Sequence, residues 1–292
     1  MTSSAPEILS RFLVKDKTVV ITGGARGLGL NFGIGLAQAG ANIAAIDISN
    51  EPSEGFSALA QYGGKYQYYK ADVRDYQGLK ATINRIADDF GSIDGWYARP
   101  TRRRIPLEVW QPADSGAAYP PQGLFETDRS WNTLKRTLRT LLVSTYGCEA
   151  EIQKRQLKLT NAPAIQVNGV FFTVQHCAAH MIKQGTGGRV VCIASTAGHR
   201  SLYPQTIAAY TASKYAVRGI VKQVAAEMAP HNIRVNSISP GQNPSRRKLF
   251  EDSNAMKRIA TPDELVGMVL YLMSDASSYT TGQDFLVDGG QI

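Results

Sequence analysis

Tyr210 and Lys214 carry the side chains best suited to chemistry in this chain, and Ser195 lies fifteen residues before the tyrosine. Residues four apart on a helix share one face, so the ammonium of Lys214 is expected beside the phenol of Tyr210. A fixed ammonium favours the ionised form of a neighbouring phenol, which makes that phenol a usable proton-transfer group near neutral pH. The serine hydroxyl, at a neighbouring strand end, could hydrogen-bond the same substrate oxygen. Two helical surface residues give this spacing by chance, so the hypothesis needs support from elsewhere in the chain.

A glycine-rich segment near the amino terminus supplies that support. Residues 17–22 are a short β-branched run, residues 23–29 read Gly-Gly-Ala-Arg-Gly-Leu-Gly, and residues 30–39 have the apolar spacing of a helix. Strand, glycine-rich turn and helix in this order predict a phosphate-binding loop, because the first N–H groups of the helix face the turn.

The individual glycines have separate expected tasks. Gly23 should permit the tight turn, whereas Gly27 and Gly29 should let a pyrophosphate and the next strand approach closely. Residues 41–46 read as a second buried strand that ends at Asp47. An acid about 20 positions beyond such a turn is placed to bind the hydroxyls of an adenosine ribose. The alternative is an ordinary β-α turn with a helix-capping acid, which the complete order of elements disfavours.

Together these features closely resemble the short-chain dehydrogenase/reductase family, from about Lys15 to the C-terminus. The motifs that carry the resemblance are Thr22-Gly23-x-x-x-Gly27-x-Gly29, Ala71-Asp72-Val73, Val167 to Phe171, Gly188 to Ser195, Tyr210 to Lys214, Arg234 to Gly241, and Thr281 to Gly290. The resemblance implies one α/β domain over residues 1–292, in which a single doubly wound, mostly parallel sheet of the Rossmann type has helices on both faces.

The resemblance also implies the reaction, which is reversible hydride transfer between a nicotinamide and a secondary alcohol or ketone. Tyr210 would be the general acid and base, and Lys214 would support it and hold the nicotinamide ribose. Ser195 would hydrogen-bond the substrate oxygen, and Asn168 would hold a water linked to Lys214. The later segments most resemble fungal-type polyol dehydrogenases and ketose reductases, and tailoring enzymes of secondary metabolism remain an open alternative.

By the same resemblance, the cofactor would contact the glycine loop, the end of the second strand, the element that touches the adenine ring, one of the last strands and the tyrosine–lysine pair. These residues are Thr22, Gly23, Arg26, Gly27, Leu28, Gly29, Asp47, Asp72, Val73, Tyr210, Lys214, Pro240 and Gly241. Asp47 favours NAD(H), since a carboxylate binds a free 2′-hydroxyl and repels a 2′-phosphate. Arg26 could receive that phosphate, so NADP(H) remains possible.

The resemblance is interrupted at about 97–112 and 139–165, and the substrate loop after Gly241 is short. The two segments are either surface loops or translated introns. The second possibility defines an alternative function, a nucleotide-binding form of the protein that is catalytically impaired.

Composition excludes several other classes of protein. Five of the eight excess positive charges fall in those two segments, so the net charge of +8 does not predict nucleic-acid binding. No apolar run is long enough to span a membrane. Three cysteines without metal-ligand spacing fit a reducing cytoplasm, and no metal site is expected. His176 and His180 lie four apart without a third ligand, which indicates packing or surface roles.

The partners we expect are a small alcohol or ketone and, as a dimer or tetramer, further copies of the chain.

Overall fold

The computed structural model describes residues 5–98, 164–202, 205, 207–241 and 254–292. Its strands are β1 (Thr18–Thr22), β2 (Asn42–Asp47), β3 (Tyr66–Lys70), β4 (Gly95–Ala98), β5 (Gly188–Ile193), β6 (Ile233–Pro240) and β7 (Asp284–Val287). Its α-helices are α1 (Ala5–Ser10), α2 (Gly27–Gln38), α3 (Tyr76–Phe90), α4 (Gly169–Gln184), α5 (Ala208–Met228) and α6 (Asp263–Met273).

The seven described strands form one sheet in the order β3-β2-β1-β4-β5-β6-β7. Each neighbouring pair is parallel, so the predicted doubly wound sheet is confirmed and is parallel throughout the described part of the chain. The strand order reverses between β1 and β4. In such sheets a ligand binds at the carboxyl ends of the strands beside this reversal.

Alternate strand residues face opposite layers of helices, as the pleat of a β-strand requires. Val20 and Trp96 point into a core built with α3, α4 and α5. Ile21 and Tyr97 point into a second core built with α2 and α6. Both faces of the sheet are therefore buried, which explains why the strands read as apolar runs rather than as alternating patterns.

Described residues lie at the margins of both predicted insertions. Tyr97 is fully buried in β4 and pairs with Ile21 of β1 and Val191 of β5. At the other end, residues 164–165 belong to a π-turn, Ala164–Asn168, that leads into α4. The remainder of both predicted insertions lies outside the described residues, as do residues 242–253 after Gly241.

None of the helices among the described residues is long and apolar enough to cross a membrane.

Candidate active site

The glycine loop joins β1 to α2 through two residues with left-handed backbone angles. Gly23 has a φ of 71° and Gly27 a φ of 56°, a region that side-chain-bearing residues rarely adopt. A Cβ on Gly29 would lie 2.1 Å from the carbonyl oxygen of Gly23, so the loop folds directly onto the first turn of the helix. The expected tight turn at Gly23 is present.

The approach to the neighbouring strand comes from a different glycine than predicted. A Cβ on Gly24 would lie 2.8 Å from the Cβ of Ala45 in β2. Gly27 instead supplies a left-handed backbone angle in the loop. Gly29 lets the loop pack directly against the first turn of the helix. The reason is geometric: Gly24 is still beside the end of the sheet, whereas the later glycines have already turned away from it.

The other predicted loop residues surround the amino end of α2. Arg26 is exposed at the position just before the helix. Leu28 is half-buried in the first turn. The buried Thr22 donates a hydrogen bond from its hydroxyl to the carbonyl of Tyr97, at 3.4 Å, which ties the end of β1 to β4. Free backbone N–H groups at the start of this helix can bind a phosphate.

Asp47 ends β2 with a side chain that is only 2% exposed. Its Oδ1 accepts hydrogen bonds from the backbone N–H and the hydroxyl of Ser49, both at 3.3 Å. Its Oδ2 is buried and has no hydrogen-bond partner among the described residues. A buried acceptor without a partner is costly in a folded protein, so this oxygen is suited to receive a ligand hydroxyl.

The charges of Asp47 and Arg26 both affect the pKa of the Tyr68 hydroxyl. Its hydroxyl donates to the carbonyl oxygens of Asp47, at 3.2 Å, and Ser49, at 2.5 Å. Burial, followed by the charge of Asp47, raises the pKa of Tyr68 to about 12, while the charge of Arg26 lowers it. The hydroxyl of Tyr68, at the end of β2, therefore feels a negative and a positive charge of opposite effect.

Asp72 and Val73 follow the end of β3. Arg74 donates two hydrogen bonds from Nε to the Asp72 carboxylate, each at 3.0 Å, and these bonds hold the pKa of Asp72 below its usual range. A Cβ on Gly169 would lie 2.7 Å from Cγ2 of Val73, so this segment packs against the start of α4. The predicted adenine-contact segment is thus ordered at the same edge of the sheet as Asp47.

Ser195 follows β5 and begins a short 3-10 turn, Thr196–Gly198. The side chain is 8% exposed, and its Oγ accepts a hydrogen bond from the backbone N–H of Ala197 at 3.2 Å. That bond uses a lone pair of the hydroxyl. The O–H proton therefore remains able to donate to a substrate oxygen.

Lys214 and Tyr210 lie on one face of α5, as their spacing predicts. The Lys214 side chain is 3% exposed, and its Nζ lies 5.5 Å from the centre of the Tyr210 ring. The same Nζ donates a hydrogen bond of 2.6 Å to the carbonyl oxygen of Ile193, the last residue of β5. The lysine is therefore attached to the strand end that carries Ser195, two residues further on.

The turn with Ser195 also packs on α5 itself. A Cβ on Gly198 would lie 3.0 Å from the carbonyl carbon and oxygen of Lys214. The structure thus brings Ser195, Tyr210 and Lys214 together.

The remaining predicted residues flank this centre. Asn168 is the last residue of the π-helical turn that leads directly into α4, and this turn packs against α5. Pro240 ends β6, and the N–H of Gly241 donates to the carbonyl of Val287 at 3.1 Å. A Cβ on Gly241 would lie 3.0 Å from Cα of Asp288, so the backbone is closely packed there.

The two histidines of α4 have the packing roles expected of them. The buried His176 ring lies 4.6 Å from the ring of Tyr76, and His180 is hydrogen-bonded to Asn84 at 2.8 Å. Within the described ranges, no group of three or more His, Cys, Asp or Glu residues is placed to hold a metal ion. Burial raises the pKa of the Cys192 thiol to about 12, so this cysteine is not a nucleophile at neutral pH.

Sequence reasoning missed two charged residues beside the centre, Arg218 and Asp284. Arg218 is four residues beyond Lys214, so helical spacing alone could have placed it on the same face. Asp284 is distant in sequence, and no sequence pattern connects it to the site.

Two family models match the chain over most of its length. One, described as short chain dehydrogenase, matches residues 17–98, and another, described as Enoyl-(Acyl carrier protein) reductase, matches residues 149–291. The chain belongs to the short-chain dehydrogenase/reductase family. It is an oxidoreductase of this family, whose members bind NAD(P)(H).

Full-length relatives agree with this assignment. A sorbose reductase of Schizosaccharomyces pombe is 31% identical over 96% of this chain and 98% of its own length. An NADP-dependent mannitol dehydrogenase of Hypocrea jecorina is 29% identical over 98% of this chain and 96% of its own length. None of the comparisons supports the alternative of a catalytically impaired form.

A solved structure shows the same fold with a dinucleotide bound. A gluconate 5-dehydrogenase from Burkholderia cenocepacia, in complex with NADP and tartrate, superposes with a TM-score of 0.71. It is 26% identical, and the match covers 97% of this chain and 98% of that one.

Proposed function

We propose that this protein interconverts a polyol and the corresponding ketose by hydride transfer, with Tyr210 as the general acid and base. The attachment of Lys214 beside Tyr210 and to the strand end of Ser195 is the observation that carries the proposal. The named activities of the sorbose reductase and the mannitol dehydrogenase support this class of substrate. An apolar ketone of secondary metabolism remains possible from the sequence, but no observation favours it.

Ser195, Tyr210 and Lys214 have different roles in the reaction at the substrate oxygen. Ser195 donates its free O–H to that oxygen and stabilises the negative charge that develops during reduction. Tyr210 donates its phenolic proton to the same oxygen in reduction and takes it back in oxidation. The buried ammonium of Lys214, 5.5 Å from the centre of the Tyr210 ring, places a positive charge beside the oxygen that gives up and regains the proton. When bound, the nicotinamide cofactor supplies or accepts the hydride.

The residues present fit a dinucleotide. The glycine loop and the start of α2 would hold the pyrophosphate, and the unpaired, buried Oδ2 of Asp47 would accept a ribose hydroxyl. We further propose a preference for NAD(H), because a 2′-phosphate would meet this buried carboxylate. Exposed Arg26 can reorient into solvent, whereas Asp47 cannot move away.

Replacing Asp47 by Asn should narrow the preference for NADH over NADPH by about tenfold or more. Asn keeps an oxygen for Ser49 and removes the charge that repels a phosphate, and such repulsion at about 4 Å is of order 1–4 kcal/mol near a protein surface. The ratio of the two dissociation constants measures the change. Asp94→Asn, a buried carboxylate at the opposite edge of the sheet, is the control and should leave the ratio unchanged. An unchanged ratio in Asp47→Asn would contradict the assignment.

Cofactor titration followed by substrate screening tests the function itself. Energy transfer from the tryptophans to bound NADH or NADPH gives both dissociation constants for the full chain. Reduction of ketoses and oxidation of polyols is then followed by nicotinamide absorbance, with apolar cyclic ketones as the competing substrate class. Cofactor binding with turnover of ketoses or polyols supports the proposal. Turnover of the apolar ketones alone would reject the substrate class, and cofactor binding without any turnover would reject the activity.

A further inference from the structure

A cluster of charged and hydroxyl side chains lies behind the turn that follows Ser195. Asp284, the first residue of β7, is at its centre, with a side chain that is 11% exposed. Its Oδ2 lies 2.6 Å from Nε2 of His199 and 3.1 Å from Nε of Arg218. One carboxylate therefore contacts two basic side chains.

Two serines of β6 complete the surroundings of this carboxylate. The hydroxyl of Ser237 donates to Oδ1 of Asp284 at 2.5 Å, and the hydroxyl of Ser239 donates to Oδ2 at 2.9 Å. Ser239 is also 3.2 Å from Nε2 of His199. Because donors converge on it from β6, from the Ser195 turn and from α5, the carboxylate is held rigidly against the sheet.

Both basic side chains connect Asp284 to the Ser195 turn. His199 is the residue that ends this turn, and its N–H donates to the carbonyl of Thr196 at 3.0 Å. Arg218 donates a hydrogen bond from NH1 to the carbonyl of Gly198. Through His199 the carboxylate holds the end of the turn. Through Arg218 it holds Gly198, the residue before His199.

Arg218 also connects the turn to the helix of the proposed acid and base. Tyr210, Lys214 and Arg218 are spaced by four along α5 and therefore follow one face. Lys214 binds the strand end before Ser195, whereas Arg218 binds the turn after it. The serine is held between two attachments to one helix.

We propose that Asp284, acting through His199 and Arg218, is a positioning residue for Ser195. It keeps the serine hydroxyl in a fixed position relative to the Tyr210 hydroxyl, so that both groups reach one substrate oxygen. This inference rests on the proposed function, because it assumes that Ser195 acts on the substrate. His199 directs its Nε2 towards Asp284.

A double-mutant cycle separates positioning from general stabilisation of the fold. Asp284→Asn removes the charge that holds both basic residues, and is made in the Ser195 protein and in the Ser195→Ala protein. Asp94→Asn is the matched control. Asp94 is also 11% exposed and accepts bonds from Ser92 and the Thr18 N–H, but it lies at the amino ends of β1 and β4.

With Ser195 present, Asp284→Asn should lower kcat/KM by about 10- to 100-fold, since displacements near 1 Å have effects of this order. In the Ser195→Ala background the same change should lower it by less than about threefold, because there is no hydroxyl left to misplace. The dissociation constant for NADH should stay within about twofold, because the turn is not part of the glycine loop. Equal losses in both backgrounds would overturn the inference. Full activity of Ser195→Ala would instead contradict the proposed function.

Hydrogen exchange gives a readout that does not require turnover. The N–H groups of Ala197, Gly198 and His199 bond within the turn, so their protection reports its order. Protection in the peptide covering 194–202 should fall in Asp284→Asn and in the milder His199→Gln, and should not change in Asp94→Asn. Unchanged protection in both cluster variants would show that Asp284 does not hold the turn.

Discussion

Tyr210→Phe should lower kcat/KM for ketose reduction by about 10²- to 10⁴-fold, the usual contribution of a positioned acid or base. Phenylalanine removes the transferable proton and keeps the ring beside Nζ of Lys214, which lies 5.5 Å from its centre. The dissociation constant for NADH should therefore change by less than about threefold. Steady-state kinetics and cofactor titration of the same preparation measure the two quantities.

Tyr215→Phe is the matched control for this prediction. Tyr215 is on the same helix but 46% exposed, so loss of its hydroxyl should leave kcat/KM unchanged. A Tyr210→Phe protein with more than about a tenth of the original activity would show that another group supplies the proton. Equal losses in both variants would point to damage of α5 rather than to chemistry.

Gly29→Ala should weaken NADH binding by about tenfold or more, because the added methyl group displaces the phosphate-binding loop. The new Cβ would lie 2.1 Å from the carbonyl oxygen of Gly23, a distance that forces the backbone to move. Overpacking of this kind also costs about 1–3 kcal/mol of folding free energy. Cofactor titration and denaturant unfolding detect the two effects separately.

Gly267→Ala controls for the change from glycine to alanine in a helix. Gly267 lies within α6, and a Cβ there would meet no atom within 4 Å. This variant should keep its affinity for NADH and gain about 0.5–1 kcal/mol of stability, as alanine does in helix interiors. Unaltered NADH binding by Gly29→Ala would mean that the loop has more room than its geometry indicates.

Much of the fold was predictable because it depends on local patterns. The β-branched run before Gly23, the apolar run before Asp47 and the helical spacing around Tyr210 each indicate one element without reference to the others. Their order implies a parallel sheet, and parallel strands bring their carboxyl ends to one edge. The location of Asp47 and Ser195 at that same edge therefore follows from the sequence.

The contacts that each glycine of the phosphate-binding loop makes were less predictable. The sequence suggested that Gly27 and Gly29 permit close approach of the next strand, but Gly24 makes this contact with Ala45. A one-dimensional pattern shows where side chains are absent. It does not show which backbone atom occupies the space, because that depends on the direction in which the turn leaves the sheet.

The sequence by itself determined the family, the parallel α/β architecture and the residues proposed for the chemistry, because each is encoded in spacing within one segment. Only the tertiary structure decided what holds these residues in place. Lys214 reaches the carbonyl of Ile193, and Asp284 reaches His199 and Arg218, across separations of 21, 85 and 66 positions in the chain. Such contacts depend on how strands and helices pack, and no local pattern of residue types specifies them.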